Sequence, residues 1–391
     1  MPVAPFQTDT ELDALERGKC VSSVARASEG DMTPAMPSAR RSPSAPLDII
    51  RDLAPSPAAA EADGRMAFAP GGPPRLAVVV DTEEEFDWTK PFTRTSRGVG
   101  SISAQARAHE IYDRFGVRPT YAVDQCVVES DAAVGVLDEL RKSGRAEIGA
   151  HLQSWVSEPY LEEVSERNSF QCNLPPEVER AKLETLTSAI GAQFGARPTV
   201  FKAGRYGYGT ATTGILLDLG YEIDCSFVPH TDFQRTHGPS FLGVPDQPFW
   251  IDAEKRLLET PLSRGFAGAL AGSSDLLAAM VDTPFWRRSR IGGALARTRL
   301  FERITLTPEG VDADAQIRLI SAMMKGGARV FTLTYHSPSL EPGHTPYVRD
   351  EADLKDFLVA IEKVVSWFAD LPDAQFTTLS ALRAEARAAT V

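Results

Sequence analysis

From residue 75 onward, short apolar segments alternate with longer amphipathic ones, and this alternation restricts the fold more than any other feature of the sequence. Eight apolar segments are suited to buried strands: 76–80, 120–123, 147–150, 199–202, 222–227, 257–259, 330–334 and 375–377. The amphipathic segments have helical spacing and lie at 103–115, 132–142, 176–194, 211–219, 313–324 and 351–368. Strands that alternate with helices predict a parallel sheet, and this number of strands favours a closed or nearly closed α/β barrel. In such barrels the reactive side chains gather at the carboxyl ends of the strands.

Two regions interrupt the alternation. Residues 1–74 are rich in Ala, Pro, Ser and Arg and show little periodicity, which predicts a disordered or weakly helical N-terminal arm. Residues 75–391 then form the barrel, with an insertion at about 265–308 that contains the sequence PFWRR and a Gly-Gly pair. The insertion could be a substrate lid, a partner surface or only a packed helical excursion.

Charge and cysteine content narrow the classes of function. The formal net charge of −12 is unfavourable for binding a nucleic-acid backbone, which requires clustered Lys and Arg. The four cysteines contain no C-x-x-C pair, which argues against a disulfide framework and a structural zinc site. No apolar run is long enough for a membrane span, and the first 30 residues lack the apolar core of a secretory signal. These features predict a cytoplasmic protein with a neutral or small-molecule substrate; the oligomeric state is left open.

The first strand runs directly into an acidic segment, Asp-Thr-Glu-Glu-Glu-Phe-Asp-Trp, at residues 81–88. Along an extended strand end, Asp81 and Glu83 are two residues apart and point to the same side. One carboxylate could therefore act as a base while the other ligates a cation. An acidic run is commonly just a solvated loop, but this one follows the most apolar strand and is interleaved with Phe86 and Trp88.

Three other strand ends carry groups that can do chemistry. His151 follows a Gly-Ala pair at the third strand, Arg205 lies in the Gly-Arg-Tyr-Gly-Tyr turn after the fourth, and His336 ends the seventh. A single histidine is more often structural than catalytic, and the turn arginine could equally lie in solvent. Because the carboxyl ends of parallel strands meet at one mouth, their convergence predicts an active site. His230 and His237 follow the fifth strand and are weaker candidates for substrate contacts.

The residues at these strand ends resemble the motifs of the NodB-homology polysaccharide deacetylases, carbohydrate esterase family four. The likeness covers residues 75–385: Asp81-Thr82-Glu83 is similar to the first motif, and His151 to the first histidine of the second. The RYGY sequence at 205–208 is similar to the third motif, and the LTYH sequence at 333–336 to the Leu-x-x-His motif. The amino-acid sequence of residues 81–88 and 336–343 most closely resembles the WalW-like branch, which is linked to lipopolysaccharide core biosynthesis.

The resemblance implies a distorted parallel barrel of seven or eight β/α units and a hydrolase that removes the N-acetyl group from an amino sugar with the help of a divalent metal, namely zinc, nickel or cobalt. It implies that Asp81 is the base, that His336 protonates the leaving amine and that Arg205 orients Asp81. Glu83 and His151 would bind the metal. Five neighbouring side chains are expected to contact the sugar: Trp88, Gln153, Trp155, Tyr206 and Tyr208.

The sequence departs from the family pattern at two positions. Trp155 stands where the second metal-binding histidine is expected, four residues after His151, and Gly207 replaces the proline of the third motif. Gln153 is the nearest polar substitute, although an amide is a weak ligand for zinc. Two other functions therefore remain open: a metal-independent amide hydrolase of the same fold, and a non-catalytic carbohydrate-binding barrel.

Overall fold

The computed structural model describes residues 56–268 and 301–389. Their strands, in chain order, are β1 (Arg75–Thr82), β2 (Thr120–Val123), β3 (Glu147–Leu152), β4 (Val200–Ala203), β5 (Ile223–Asp224), β6 (Phe249–Trp250), β7 (Leu258–Glu259), β8 (Arg264–Ala267), β9 (Glu302–Thr305), β10 (Val330–His336) and β11 (Gln375–Phe376). Nine of them form one sheet in the order β10-β1-β2-β3-β4-β5-β7-β6, with β11 paired to β1. All neighbours in this sheet are parallel except β6 and β7.

The sheet curls so that its two ends approach each other. On one side, the backbone N–H of Leu262 donates to Phe227 O at 2.9 Å; on the other, the N–H of Ser263 donates to Thr332 O at 3.2 Å. Leu306 joins the same junction, because its N–H donates to Ser263 O at 2.8 Å and its carbonyl accepts from Thr334 N at 3.2 Å. The predicted distorted parallel α/β barrel is therefore confirmed.

The helices, in chain order, are α1 (Pro57–Ala62), α2 (Gln105–Phe115), α3 (Gln125–Val128), α4 (Asp131–Lys142), α5 (Pro176–Phe194), α6 (Thr212–Leu219), α7 (Ala313–Lys325), α8 (Glu351–Ala369) and α9 (Leu379–Ala388). Local signals in the sequence explain where several of them begin and end. Asp350 caps α8 by accepting hydrogen bonds from Ala352 N and Asp353 N. Gly195 ends α5 with φ of 74°, a left-handed conformation that favours glycine.

The structure has three strands that the sequence pattern does not predict, β6, β8 and β9, and the predicted strand 222–227 is reduced to the two residues of β5. Two other strands are longer than predicted, at the ends that bear on function. β1 continues to Thr82 and β10 to His336, so Asp81 and His336 belong to the strands themselves. Every residue of β1 is buried, as is usual for a parallel strand covered on both faces. Because the strand is packed on both faces, the polar residues at its carboxyl end are fixed in position.

The arm and the insertion are described only in part. In the described portion of the arm, residues 56–74, α1 is followed by a segment that pairs with β6: Ala67 N donates to Pro248 O, and Trp250 N donates to Arg65 O. The described ends of the predicted 265–308 insertion contain β8 and β9, which pair as an antiparallel hairpin. Residues 1–55 and 269–300 lie outside the described chain.

Candidate active site

Strand register brings the predicted acid and base side by side. β1 and β10 are paired in parallel with Asp81 directly opposite His336, and β3 and β4 are paired with His151 opposite Lys202. Strands β10, β1, β2, β3 and β4 follow one another in the sheet and run in parallel. These four residues therefore lie together near the carboxyl ends of the strands. The mouth of the barrel therefore brings together three residues predicted from sequence and one, Lys202, that was not.

Asp81 is held in an ionised state by a buried lysine. Lys202 Nζ donates to Asp81 Oδ1 at 2.6 Å and to Thr334 Oγ1 at 2.9 Å. Burial alone raises the pKa of this carboxyl, but the positive charge of Lys202, with smaller effects of His151 and His336, lowers the pKa below its ordinary value. Asp81 therefore carries a negative charge at neutral pH, and the lysine occupies only one of its two oxygens.

A buried glutamate holds His336 in its protonated, positively charged state. Its Nδ1 lies 2.8 Å from Glu309 Oε2, and its backbone N–H donates to Glu309 Oε1 at 3.0 Å. Burial lowers the pKa of this imidazole, but the charges of Glu309, Glu83 and Asp81 outweigh burial and raise the pKa to about 10. Nε2 of the resulting imidazolium lies 3.8 Å from Asp81 Oδ2.

Glu83, His151 and Gln153 form a second buried group beside this pair. His151 Nδ1 lies 3.1 Å from the backbone O of Lys202, so this nitrogen carries the hydrogen and donates it. Its Nε2 then faces Glu83 Oε2 at 3.2 Å. The same oxygen also accepts a short hydrogen bond from Gln153 Nε2.

These residues fit a divalent cation. With its hydrogen on Nδ1, His151 turns Nε2 toward Glu83 Oε2, and in the neutral form of the ring Nε2 would offer a lone pair to a cation between these two atoms. Oε1 of Gln153 is also buried and has no hydrogen-bond partner among the described residues. A carboxylate, an imidazole nitrogen and an amide oxygen are all ligands that divalent cations accept.

A different cluster lies behind this one. Glu84, Asp124 and Cys126 each offer one ligand atom, and these atoms lie within 4.8 Å of one another. Burial and the charges of Asp124 and Glu83 raise the pKa of Glu84 well above its usual range, and burial likewise raises the pKa of the Cys126 thiol. Asp124 caps α3 by accepting from Val127 N at 2.8 Å. A metal here would have to displace protons from two groups and a helix cap, so the cluster is less suited to a cation than Glu83 and His151.

The contact with Asp81 is made by Lys202, and the predicted role of Arg205 in orienting Asp81 stays a prediction. Arg205 donates to Glu166 O at 3.3 Å and to the hydroxyl of Ser169, and its guanidinium lies 4.0 Å from the centroid of the Phe170 ring. Its backbone adopts φ of 52°, a left-handed conformation that turns the side chain of Arg205 toward the 166–170 loop.

Two residues of the site escaped prediction for different reasons. Lys202 lies inside a predicted strand between Phe201 and Ala203, where a charged residue must be paired if it is buried. That rule is a usable signal. Glu309 follows β9 at the end of the predicted insertion, where the sequence has no periodicity, so nothing in the sequence places it beside His336.

The residues expected to contact substrate differ in burial and in their position relative to the mouth. The Trp88 ring is half-buried and lies 5.1 Å from the His336 ring at a near-perpendicular angle, at the mouth. The Tyr206 ring stacks on Phe233 and lies 5.4 Å from Lys202 Nζ. Tyr208 is fully buried, with its hydroxyl 2.7 Å from Thr213 Oγ1, and thus offers no surface to a ligand.

Trp155 is also a packing residue in this structure. Its indole N–H donates to Glu84 Oε1 at 2.7 Å, and its ring lies 4.3 Å from that of Phe92. The tryptophan therefore contacts the acidic cluster and does not occupy the gap between Glu83 and His151. His237 ends a short turn, and its carbonyl accepts from Asn173; the His230 ring lies 5.1 Å from that of Phe266. Their proposed contact with substrate stays a prediction.

Comparison with solved structures supports the fold expected from the motifs. The chain is similar to a putative polysaccharide deacetylase from Mycobacterium smegmatis, with a TM-score of 0.50 and 16% identity over 84% of this chain and 96% of the other. It is similar also to a putative glycoside hydrolase/deacetylase from Parabacteroides distasonis, with a TM-score of 0.53 and 12% identity over 82% and 73% of the two chains. The fold is that of the NodB-type polysaccharide deacetylases.

At these levels of sequence identity, the similarity establishes the fold and does not identify the reaction. No protein-family model matches the sequence, and no curated protein matches it. None of the described helices has both the length and the apolar character needed to cross a bilayer. Among the described residues, Cys126, Cys172 and Cys225 are free thiols.

Proposed function

We propose that this protein is a hydrolase that removes the acetyl group from an N-acetylated sugar of a polysaccharide or lipopolysaccharide. The observation that carries the proposal is the facing pair of Asp81 and His336. They lie on neighbouring strands, 3.8 Å apart, with a lowered pKa on the carboxyl and a raised pKa on the imidazole. One site thus offers a base and an acid at the same pH, as amide hydrolysis requires.

The two groups have separate tasks in this reaction. Asp81 Oδ2, which is not engaged by Lys202, takes a proton from water as the water oxygen bonds to the acetyl carbonyl carbon. Nε2 of His336 then gives its proton to the amide nitrogen as the carbon–nitrogen bond breaks, which releases acetate and the free amine. Because Oδ2 and Nε2 face each other, the proton gained by Asp81 can return to His336 and restore the starting state.

A divalent cation held by Glu83 and His151 would polarise the acetyl carbonyl, and the donor atoms of these residues are arranged for it. Their burial excludes bulk water from this part of the site, with exposures of 1% and 2%. The cation is part of the proposal because the geometry of the ligands supports it.

The mouth offers an apolar surface suited to a sugar ring. The Trp88 ring lies 5.1 Å from the His336 ring and 5.9 Å from the Tyr347 ring, with edge geometry in both cases, and stacks on Phe86 at 4.9 Å. Aromatic faces at this position would stack against the apolar face of a pyranose and place its N-acetyl group near Asp81. The WalW-like sequence at residues 81–88 supports a lipopolysaccharide or polysaccharide substrate, and the cysteine pattern supports a cytoplasmic location.

The proposal is tested by measuring acetate release from a panel of N-acetylated sugars that includes oligomers of N-acetylglucosamine. We expect Asp81→Asn and His336→Ala to abolish release while circular dichroism and thermal unfolding show a folded chain. Full activity in either variant would refute the assignment of base or acid. Binding of the panel to the wild type without turnover would instead identify a carbohydrate-binding barrel.

A further inference from the structure

Gln153 carries a buried polar atom that the protein leaves unsatisfied. Its side chain is only 3% exposed; Nε2 donates to Glu83 Oε2, whereas Oε1 has no hydrogen-bond partner among the described residues. Burying a carbonyl oxygen without a donor costs roughly 1–3 kcal/mol. An amide that can rotate would normally avoid this cost, so the arrangement needs a physical reason.

The neighbourhood of Oε1 makes the arrangement more unfavourable. A Cβ built on Gly204 would lie 2.3 Å from this oxygen and 2.4 Å from the backbone carbonyl oxygen of Leu152. The two oxygens thus approach the same point in front of Gly204, which only glycine leaves open. A half turn of the amide would place its NH₂ group near the Leu152 oxygen, which can accept a hydrogen bond, without repacking, because the two ends of the amide are nearly the same size.

The half turn has a consequence on the other side of the amide. It would bring Oε1 of Gln153 next to Glu83 Oε2 and His151 Nε2, which already lie 3.2 Å apart. Three lone-pair atoms would then converge on one point and repel one another unless a cation stood between them. The orientation of the amide is therefore coupled to the presence of a positive charge at this point.

We infer that Gln153 is the third protein ligand of the cation bound by Glu83 and His151, and that its amide turns over when the cation binds. The inference rests on the proposed cation site. The donor set becomes two oxygens and one nitrogen, in which the amide replaces a nitrogen ligand. Oxygen donors suit Mn²⁺ and Mg²⁺, whereas imidazole suits Zn²⁺, so Gln153 lowers the preference of the site for zinc relative to a histidine at the same position.

The test uses the full-length protein freed of metal by chelation and titrated with MnCl₂ or ZnCl₂ by calorimetry, with free Mn²⁺ also counted by electron paramagnetic resonance. The variants are Gln153→Leu, which keeps the volume and removes the donor, Gln153→His, and His151→Ala. We expect Gln153→Leu to weaken Mn²⁺ binding about 10–100-fold, as for other changes around metal sites. We expect Gln153→His to raise the ratio of zinc to manganese affinity about 10-fold or more. Circular dichroism checks that each variant is folded.

The outcomes separate this inference from the proposal it rests on. If His151→Ala loses cation binding but Gln153→Leu keeps wild-type affinity, Gln153 is not a ligand and the site of Glu83 and His151 stands. An unchanged ratio of zinc to manganese affinity in Gln153→His would also overturn the inference. If His151→Ala binds as well as the wild type, or the wild type binds neither ion, the proposed cation site itself is refuted.

Discussion

Replacing Glu309 with glutamine removes the charge that keeps His336 protonated while leaving an oxygen that can still accept from Nδ1. Glutamine has nearly the same size and keeps one acceptor for Nδ1, but its NH₂ group replaces Oε1, which accepts from the His336 backbone N–H and from the Ser339 hydroxyl. We expect the pKa of His336 to fall and the alkaline limit of activity to fall with it. The reason is that in the proposed reaction His336 acts as an acid only while Nε2 carries a proton.

The structure sets the size of this effect. The imidazole pKa is raised from 6.5 to about 10, with Glu309 the foremost of the charges that raise it. An opposite charge at hydrogen-bond distance typically moves a pKa by about 1–3 pH units, so we assign Glu309 about 2 of them, or about 2.7 kcal/mol. The alkaline limit should therefore move from near pH 10 to near pH 8.

The same coupling affects stability, and its direction follows from the raised pKa. The folded value of about 10 lies above the ordinary value of 6.5, so the stabilisation is fully present below pH 6.5 and is lost as the pH rises toward 10. Glu309→Gln should therefore lower the free energy of unfolding by a nearly constant amount up to about pH 8, the pKa expected for His336 in the variant. The two proteins should converge in stability near pH 10.

The assay is a titration of the histidine ring protons by nuclear magnetic resonance, with His336→Ala used to assign the signal. It needs no substrate, and it can be compared with the pH profile of acetate release. Ser339→Ala is the matched control, because Ser339 Oγ also donates to Glu309 but carries no charge. A His336 pKa that changes by less than about 0.5 in Glu309→Gln would refute the electrostatic reasoning.

Three further predictions concern neighbouring contacts. Lys202→Met should raise the pKa of Asp81, move the acid limit of activity to higher pH and cost about 3–5 kcal/mol in urea unfolding, because a buried charge loses its partner. Lys202→Arg should keep part of the stability and part of the activity at low pH. An acid limit that is unchanged in Lys202→Met would contradict the pairing. Trp155→Phe should cost about 1–3 kcal/mol through the lost hydrogen bond to Glu84 while acetate release persists, and loss of release in a folded variant would show a direct role in the reaction. Gly204→Ala should lower the melting temperature by an amount equivalent to about 1–3 kcal/mol, since the added carbon would lie 2.4 Å from a backbone oxygen; a wild-type value would contradict the close approach.

The fold could be predicted from sequence because each level of pattern points to the same answer. The helix predicted at 176–194 coincides with the observed one, since Pro176 begins it and Gly195 ends it. Strand β1 is apolar from Leu76 to Val80, directly before Asp81, so its carboxyl end could be predicted from the sequence. The same pattern places Asp81 and His336 at one mouth of the predicted barrel.

The partners of those two residues were harder to predict, for a physical reason. Lys202 and Glu309 contact Asp81 and His336 across 121 and 27 positions of the chain, respectively, so no local spacing records the contact. The resemblance to the third motif implies a role for Arg205, which lies three residues after Lys202 in the same strand–turn segment. The two side chains differ in the direction that the backbone gives them. Side-chain direction at a strand end depends on a left-handed turn that spacing alone does not reveal.

The four charged groups of the site alternate in sign along one line of contacts: Lys202, Asp81, His336 and Glu309. Without the outer two, a carboxylate and an imidazole 3.8 Å apart could become a neutral pair by passing one proton between them, and neither would then be ready to react. Lys202 occupies Oδ1 and Glu309 occupies Nδ1, which fixes the charge of each central group and leaves Oδ2 and Nε2 facing the mouth side by side. The outer residues therefore set the pH range over which base and acid coexist, so their substitution should shift that range before it abolishes the reaction.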